Sequence, residues 1–152
     1  ESMGRAYDYG EALMKAFISS HHRLPKTGEV FLSLREKDKE SLLPTITAMV
    51  DLGYKLSATQ GTAKFLYDHG IDCIPVKKVH EGRPNCVDRI RSGKVNLVIN
   101  TTSGRQSIDA SFSIRRSCTD YGIPCLTEDH AAEVFVLALK KLHTGAFDVH
   151  PL

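Results

Sequence analysis

Apolar and polar residues alternate along the chain in two periods, one suited to helices and one to short buried strands. Tyr9, Leu13, Ala16 and Phe17 stand at i, i+4, i+7 and i+8, one face of an amphipathic helix. His21-His22-Arg23-Leu24-Pro25-Lys26-Thr27-Gly28 has no period and is punctuated by Pro and Gly, which marks a linker. Val30-Phe31-Leu32-Ser33-Leu34 suits a buried strand. The charged run Arg35-Glu36-Lys37-Asp38-Lys39 follows, and Asp38 is the expected cap of a helix whose Leu42, Ile46, Met49 and Val50 share a face. Pro44 is expected in the first turn of that helix, and Gly53 just past its end.

A second strand over 54–58 runs into Ala58-Thr59-Gln60-Gly61-Thr62 and a helix closed by Gly70. Residues 71–76 read as a third strand, at an edge because Pro75 lacks an N–H. A polar loop over 77–84 leads to a short helix capped by Asn85 and ended at Gly93. Val95-Asn96-Leu97-Val98-Ile99-Asn100 is the fourth strand. A helix over 112–121, a fifth strand over 124–126 and a last helix with Ala131, Val134, Ala138 and Leu142 at helical spacing complete the chain. Five strand-helix repeats with short connections predict a doubly wound α/β domain: a five-stranded parallel sheet with helices on both faces.

Length and composition narrow this little further. At 152 residues and 41% hydrophobic content, the chain suits one domain with a core that needs no disulfide or metal. A net charge of +2 supplies no general attraction for nucleic acid or an anionic membrane. Cys73, Cys86, Cys118 and Cys125 show no C-x-x-C spacing and read as reduced core thiols. No apolar run approaches membrane-spanning length and no basic-then-apolar signal opens the chain, so a soluble cytoplasmic protein is expected.

In such sheets ligands bind beyond the carboxyl ends of the strands. Lys39 follows the first strand, Thr59 and Thr62 the second, Lys78 the third, and Asn100, Thr101 and Thr102 the fourth. The Thr-x-Gly-Thr turn into a helix offers free N–H groups, two hydroxyls and a positive dipole end, a cradle for phosphate. Its plainer reading is a helix cap, with Lys39 and Lys78 as solvated surface residues and 100–102 as a capped turn. His80 has no second His or Cys at metal spacing, so no metal site is expected. There is no G-x-G-x-x-G after the first strand and no P-loop. Two ammonium groups and several hydroxyls on one rim suit a phosphorylated small molecule.

Arg-Glu-Lys-Asp-Lys-Glu at Lys39, Ala-Thr-Gln-Gly-Thr-Ala, Lys-Val-His-Glu-Gly-Arg-Pro-Asn, Val-Ile-Asn-Thr-Thr-Ser-Gly-Arg and Ile114-Arg115-Arg116 closely resemble the C-terminal regulatory domain of the carbamoyl-phosphate synthetase large subunit, over nearly the whole chain. The resemblance implies a methylglyoxal-synthase-like fold over 29–145, with 1–28 a helix and linker from a preceding synthetase domain and 146–152 a tail. It implies no catalytic residue in this domain. Instead it implies a nucleotide effector site of the UMP and IMP type, with Lys39, Thr59, Thr62, Lys78 and Thr102 on the phosphate and Val79 and Asn100 at the ribose or base. The parent enzyme would be an ATP- and Mg-dependent, glutamine-hydrolysing ligase serving pyrimidine and arginine biosynthesis. Its synthetase domains and glutaminase small subunit would be the partners, with a homo-oligomer left open and no cofactor in the domain itself. The family's ornithine site uses a Tyr-x-Thr element. Here Cys125-Leu126-Thr127 stands in its place, leaving Thr127 as a remnant and putting ornithine activation in doubt.

The alternative is a methylglyoxal-synthase-type lyase acting on dihydroxyacetone phosphate, which needs a carboxylate base. Alignment on Gly93-Lys94 puts Arg83 and Ser103 where that family's catalytic aspartates stand, leaving Glu81 and Asp88 as the expected nearby carboxylates. A module that serves only for assembly is the third reading.

Overall fold

A computed structural model describes residues 3–19, 24–101 and 105–145, with side chains omitted at 105–108. In chain order the elements are α1 (Tyr9–Ser19), β1 (Glu29–Ser33), α2 (Glu36–Asp51), β2 (Lys55–Thr59), α3 (Gln60–Asp68), β3 (Ile74–Val76), α4 (Cys86–Arg91), β4 (Val95–Asn100), α5 (Arg105–Asp120), β5 (Cys125–Leu126) and α6 (Asp129–Thr144). The five strands form one sheet in the order β3-β2-β1-β4-β5, and every pairing is parallel. This is the expected doubly wound α/β fold. Pro75 lies on an edge strand, where its missing N–H costs no ladder bond.

Strand side chains alternate between two cores. Val30, Leu32, Leu56, Ala58, Leu97 and Ile99 pack with Leu42, Ile46 and Met49 of α2, Leu66 of α3, and Phe135 and Leu139 of α6. Phe31 and Val98 point the other way, onto Val87 and Ile90 of α4 and Ile114 and Cys118 of α5. The crossovers β1-α2-β2 and β2-α3-β3 step in one direction along the sheet. The crossover from β3 back to β4 reverses that step, so a parallel return of the same hand must carry α4 and then α5 to the opposite face. The reversal makes β1 and β4 neighbours, and their carboxyl ends open the crevice such a sheet offers a ligand.

α1 lies against α6. Met14 is fully buried with Ala138 and Leu142, and the Phe17 ring meets Phe135 edge-on with centroids 5.0 Å apart. At the start of β1, Gly28 has φ +134°, and a β-carbon there would come within 2.0 Å of Asn96 Oδ1, the atom that accepts the Glu29 N–H at 3.0 Å. Glycine is thus required both by the backbone angle and by the close approach of β4.

Several local expectations are corrected. Asp38 is not the cap of α2: the cap position is Arg35, without a side-chain cap bond, and the Asp38 carboxylate accepts from Arg35 Nε instead. Because the helix starts at Glu36, Pro44 lies in its interior, beyond the first turn. Pro44 and Glu40 are both exposed, so water can reach the carbonyl that the missing N–H leaves free. α5 starts at Arg105, well before 112, because the polar stretch after the fourth strand carries too few apolar residues to reveal its period. β3 is shorter than 71–76 and leaves Cys73 outside it. All four cysteines are free thiols, with Cys86 and Cys118 buried in the second core. Among the described residues no helix is long and apolar enough to cross a membrane.

Candidate functional site

The β1–α2 turn is held down by two threonine hydroxyls, one from α3 and one just past β4. Thr62, in the first turn of α3, accepts the Leu34 N–H at 3.2 Å. Thr101, just past β4, accepts the Arg35 N–H at 3.0 Å. The carboxyl ends of β1, β2 and β4 are thereby joined in one rim. Thr59 ends β2 at the cap position of α3 without capping it, and its hydroxyl lies 3.3 Å from that of Thr62. Both threonines are buried. An oxygen that accepts a hydrogen bond becomes a better donor, so the Thr62 hydroxyl, loaded by Leu34, is primed to give its own proton.

Lys39 comes from the first turn of α2 and reaches across to α3. Its ammonium donates to the Gly61 carbonyl at 3.3 Å and to Glu36 Oε2 at 2.5 Å, and lies 5.8 Å from the centroid of the Phe65 ring. Lys39 is 7% exposed, whereas a surface lysine would be solvated. A β-carbon at Gly61 would stand 4.0 Å from the ammonium, an ordinary contact. Together Lys39, Thr59, Thr62 and the amino end of α3 combine a cation, two hydroxyls and a positive dipole end, the donor set that binds an anion.

Asp38 braces this rim from below. Burial pushes its carboxyl up, but the hydrogen bonds from Arg35 and Thr101, with the charge of Arg35, outweigh it and leave the carboxyl below its ordinary value. Asn100 is 1% exposed; its Nδ2 donates to Ser111 Oγ of α5 at 2.6 Å, and its buried Oδ1 has no partner among the described residues. An orphaned buried acceptor at a strand's carboxyl end suits a donor brought by a ligand.

The remaining predicted residues take different places. Lys78 is exposed at the start of a 3-10 turn, Val79–Glu81, where its own N–H donates to Glu81 at 2.7 Å. Val79 is half-buried against the second core. Thr127 follows β5, one residue past the Ile99–Leu126 pair and so on the same rim as Asn100. Thr102 and Ser103 lie outside the described residues. Arg83 forms an ion pair with Asp88, which also accepts the Asn85 N–H and is held down to about 2.

Sequence reasoning missed Arg35, Glu36, Asp38 as a brace and Ser111, and placed Thr101 on the rim without its bond to Arg35. The expectation that Glu81 and Asp88 are the nearby carboxylates is corrected: Glu36 and Asp38 stand at the rim, one on Lys39 and the other on Arg35. The signal was present in the spacing, because Arg35 with Asp38 and Glu36 with Lys39 are i, i+3 pairs on a helix start. The charged run looked like a solvated face, which hid it.

The class of a reversing parallel sheet with polar groups gathered at its carboxyl rim is defined further by the sequence: residues 41–127 match the family described as MGS-like domain, and the chain belongs to that family. Its relatives include large chains of carbamoyl phosphate synthase. It is 43% identical over 152 residues to the carbamoyl phosphate synthase large chain of Rhizobium meliloti (strain 1021), covering 100% of this chain and 13% of that one. It is 39% identical over 142 residues to the carbamoyl phosphate synthase large chain, C-terminal section, of Aquifex aeolicus (strain VF5), covering 93% of this chain and 26% of the other. The chain thus spans only a small part of these relatives' length. Among solved structures, methylglyoxal synthase from Elizabethkingia anophelis NUHP1 matches with a TM-score of 0.60 at 19% identity, over 76% of this chain and 80% of that one, a likeness of fold.

Proposed function

We propose that the chain is a regulatory domain that binds a nucleoside monophosphate of the UMP or IMP type and, within a carbamoyl phosphate synthase large chain, adjusts carbamoyl phosphate synthesis. One observation carries this reading: the buried Lys39 on the Gly61 carbonyl, one residue before Thr62, whose hydroxyl lies 3.3 Å from that of Thr59 at the carboxyl end of β2. A dianionic phosphate monoester is the ligand that such a cradle favours. Lys78, and Thr102 from the sequence, would close over the phosphate. Asn100 Oδ1, without a partner among the described residues, would accept from the ribose or base, with Val79 alongside. Binding changes activity only through differential affinity for two states of the enzyme, and couplings of this kind are typically about 1 to 3 kcal/mol.

Calorimetry with UMP, IMP and the parent nucleosides tests the site. Lys39→Ala should weaken nucleotide binding by about 1.5 to 3 kcal/mol, the scale of a hydrogen bond to a charged group, and barely change nucleoside binding. Equal losses for nucleotide and nucleoside would place Lys39 away from the phosphate. In the complete large chain, a nucleotide effect on synthesis that disappears in Lys39→Ala supports regulation, and kinetics indifferent to every nucleotide rule it out.

A further inference from the structure

The Lys39 ion pair is unequal. The lysine side chain is 9% exposed and that of Glu36 is 87% exposed, yet their charged atoms are 2.5 Å apart. A buried ammonium requires a counter-charge, whereas an exposed carboxylate is already solvated and gains little from the contact. Among the described residues Glu36 is the ion-pair partner of Lys39, whose other neighbours are the neutral Gly61 carbonyl and the Phe65 ring. The lysine is fixed between α2 and α3. Glu36, at the first residue of α2, can turn into water by rotating its own side chain. Its carboxylate oxygen occupies the position against the ammonium that an oxygen of an anionic ligand would take.

We propose that Glu36 is the resident anion of this site: it neutralises Lys39 when no ligand is bound and must be displaced by an incoming phosphate. The proposal rests on the phosphate reading above. Glu36 then sets the affinity of the site against its own ligand, so removing its charge tightens binding instead of weakening it. A neutral ligand that does not need Lys39 is indifferent to the change. Without ligand, Glu36→Gln leaves a buried ammonium unpaired and the free chain less stable, so the same ligand raises its melting temperature by more.

The test is calorimetry on the 152-residue chain with UMP and IMP, and with uridine and inosine as uncharged controls. Wild type, Glu36→Gln, Lys39→Ala and Asp51→Asn are compared. Asp51→Asn removes a carboxylate at the far end of α2 and controls for net charge. Glu36→Gln should bind the nucleotide roughly three- to tenfold more tightly, as expected for removing one partly screened charge from the phosphate's neighbourhood, with nucleoside binding unchanged. Its free form should melt lower and show the larger ligand-induced shift. Lys39-dependent binding in the wild type with no gain in Glu36→Gln overturns this proposal alone. An equal gain in Asp51→Asn reduces the effect to net charge and also overturns it. Wild-type binding that is absent, or indifferent to Lys39→Ala, overturns the phosphate reading and this proposal together.

Discussion

Replacing Arg89 by methionine probes the ion pair at the end of β1 opposite the rim. Arg89 of α4 reaches Glu29 with two hydrogen bonds, Nε to Oε1 at 2.6 Å and Nη2 to Oε2 at 2.8 Å, and Ser57 Oγ of β2 also donates to Oε1. The Glu29 side chain is 9% exposed and that of Arg89 is 22% exposed. Methionine keeps the packing of the stem and leaves a buried carboxylate with the Ser57 hydroxyl and the more distant charge of Lys94. Breaking a buried pair costs about 3 to 5 kcal/mol; because water reaches part of Arg89, about 2 to 4 kcal/mol is expected. For a chain of this length that lowers Tm by roughly 6 to 12 °C. The pH dependence gives a second check. In the wild type, burial pushes the Glu29 carboxyl up, but the hydrogen bonds from Arg89 and Ser57 and the charge of Arg89 bring it below its ordinary 4.5. Its contribution to stability is therefore full above pH 4.5 and is lost as pH falls from there through the lower folded value. In Arg89→Met burial prevails, the folded carboxyl rises above its ordinary value, and protonation relieves the penalty. The stability gap should be widest near pH 7.5 and close as the pH approaches 4. Urea unfolding at both pH values measures it, and Arg89→Met combined with Glu29→Gln should recover most of the loss. A loss below about 1 kcal/mol, or a gap that does not change with pH, would refute the reasoning by showing a pair that water already screens.

Two further predictions concern α4 and the chemistry of the rim. Asn85 Oδ1 accepts from the N–H groups of Val87 and Asp88 at 3.1 and 3.3 Å, so Asn85→Ala should destabilise the chain by about 0.5 to 2 kcal/mol, read as a lower urea midpoint at unchanged slope. Incubation with dihydroxyacetone phosphate should release phosphate no faster than buffer, because Arg83 cannot act as a base at neutral pH and Asp38 is committed to Arg35. Turnover that survives purification and vanishes in Glu36→Gln would establish a lyase instead.

Much of this protein is decided locally. The helical period of Leu42, Ile46 and Met49 and the alternation of Val30, Phe31 and Leu32 place each residue on its core face, because an apolar stripe reports which side of an element must leave water. Five strand-helix repeats compel parallel pairing, and Pro75 marks an edge. Thr59, Thr62 and Lys39 could be proposed as a cradle since each follows a strand. Strand order is different: only packing determines that β4 returns beside β1, and with it that Thr101 receives the Arg35 N–H across 66 residues of sequence. The run 35–39 looks solvated by composition, yet Asp38 and Lys39 are buried because the β1–α2 turn is pressed between the ends of β2 and β4. Glu29 and Arg89, 60 residues apart, show no pattern in sequence at all. A charged side chain carries no local mark of its partner, and its burial depends on elements that the topology alone brings together.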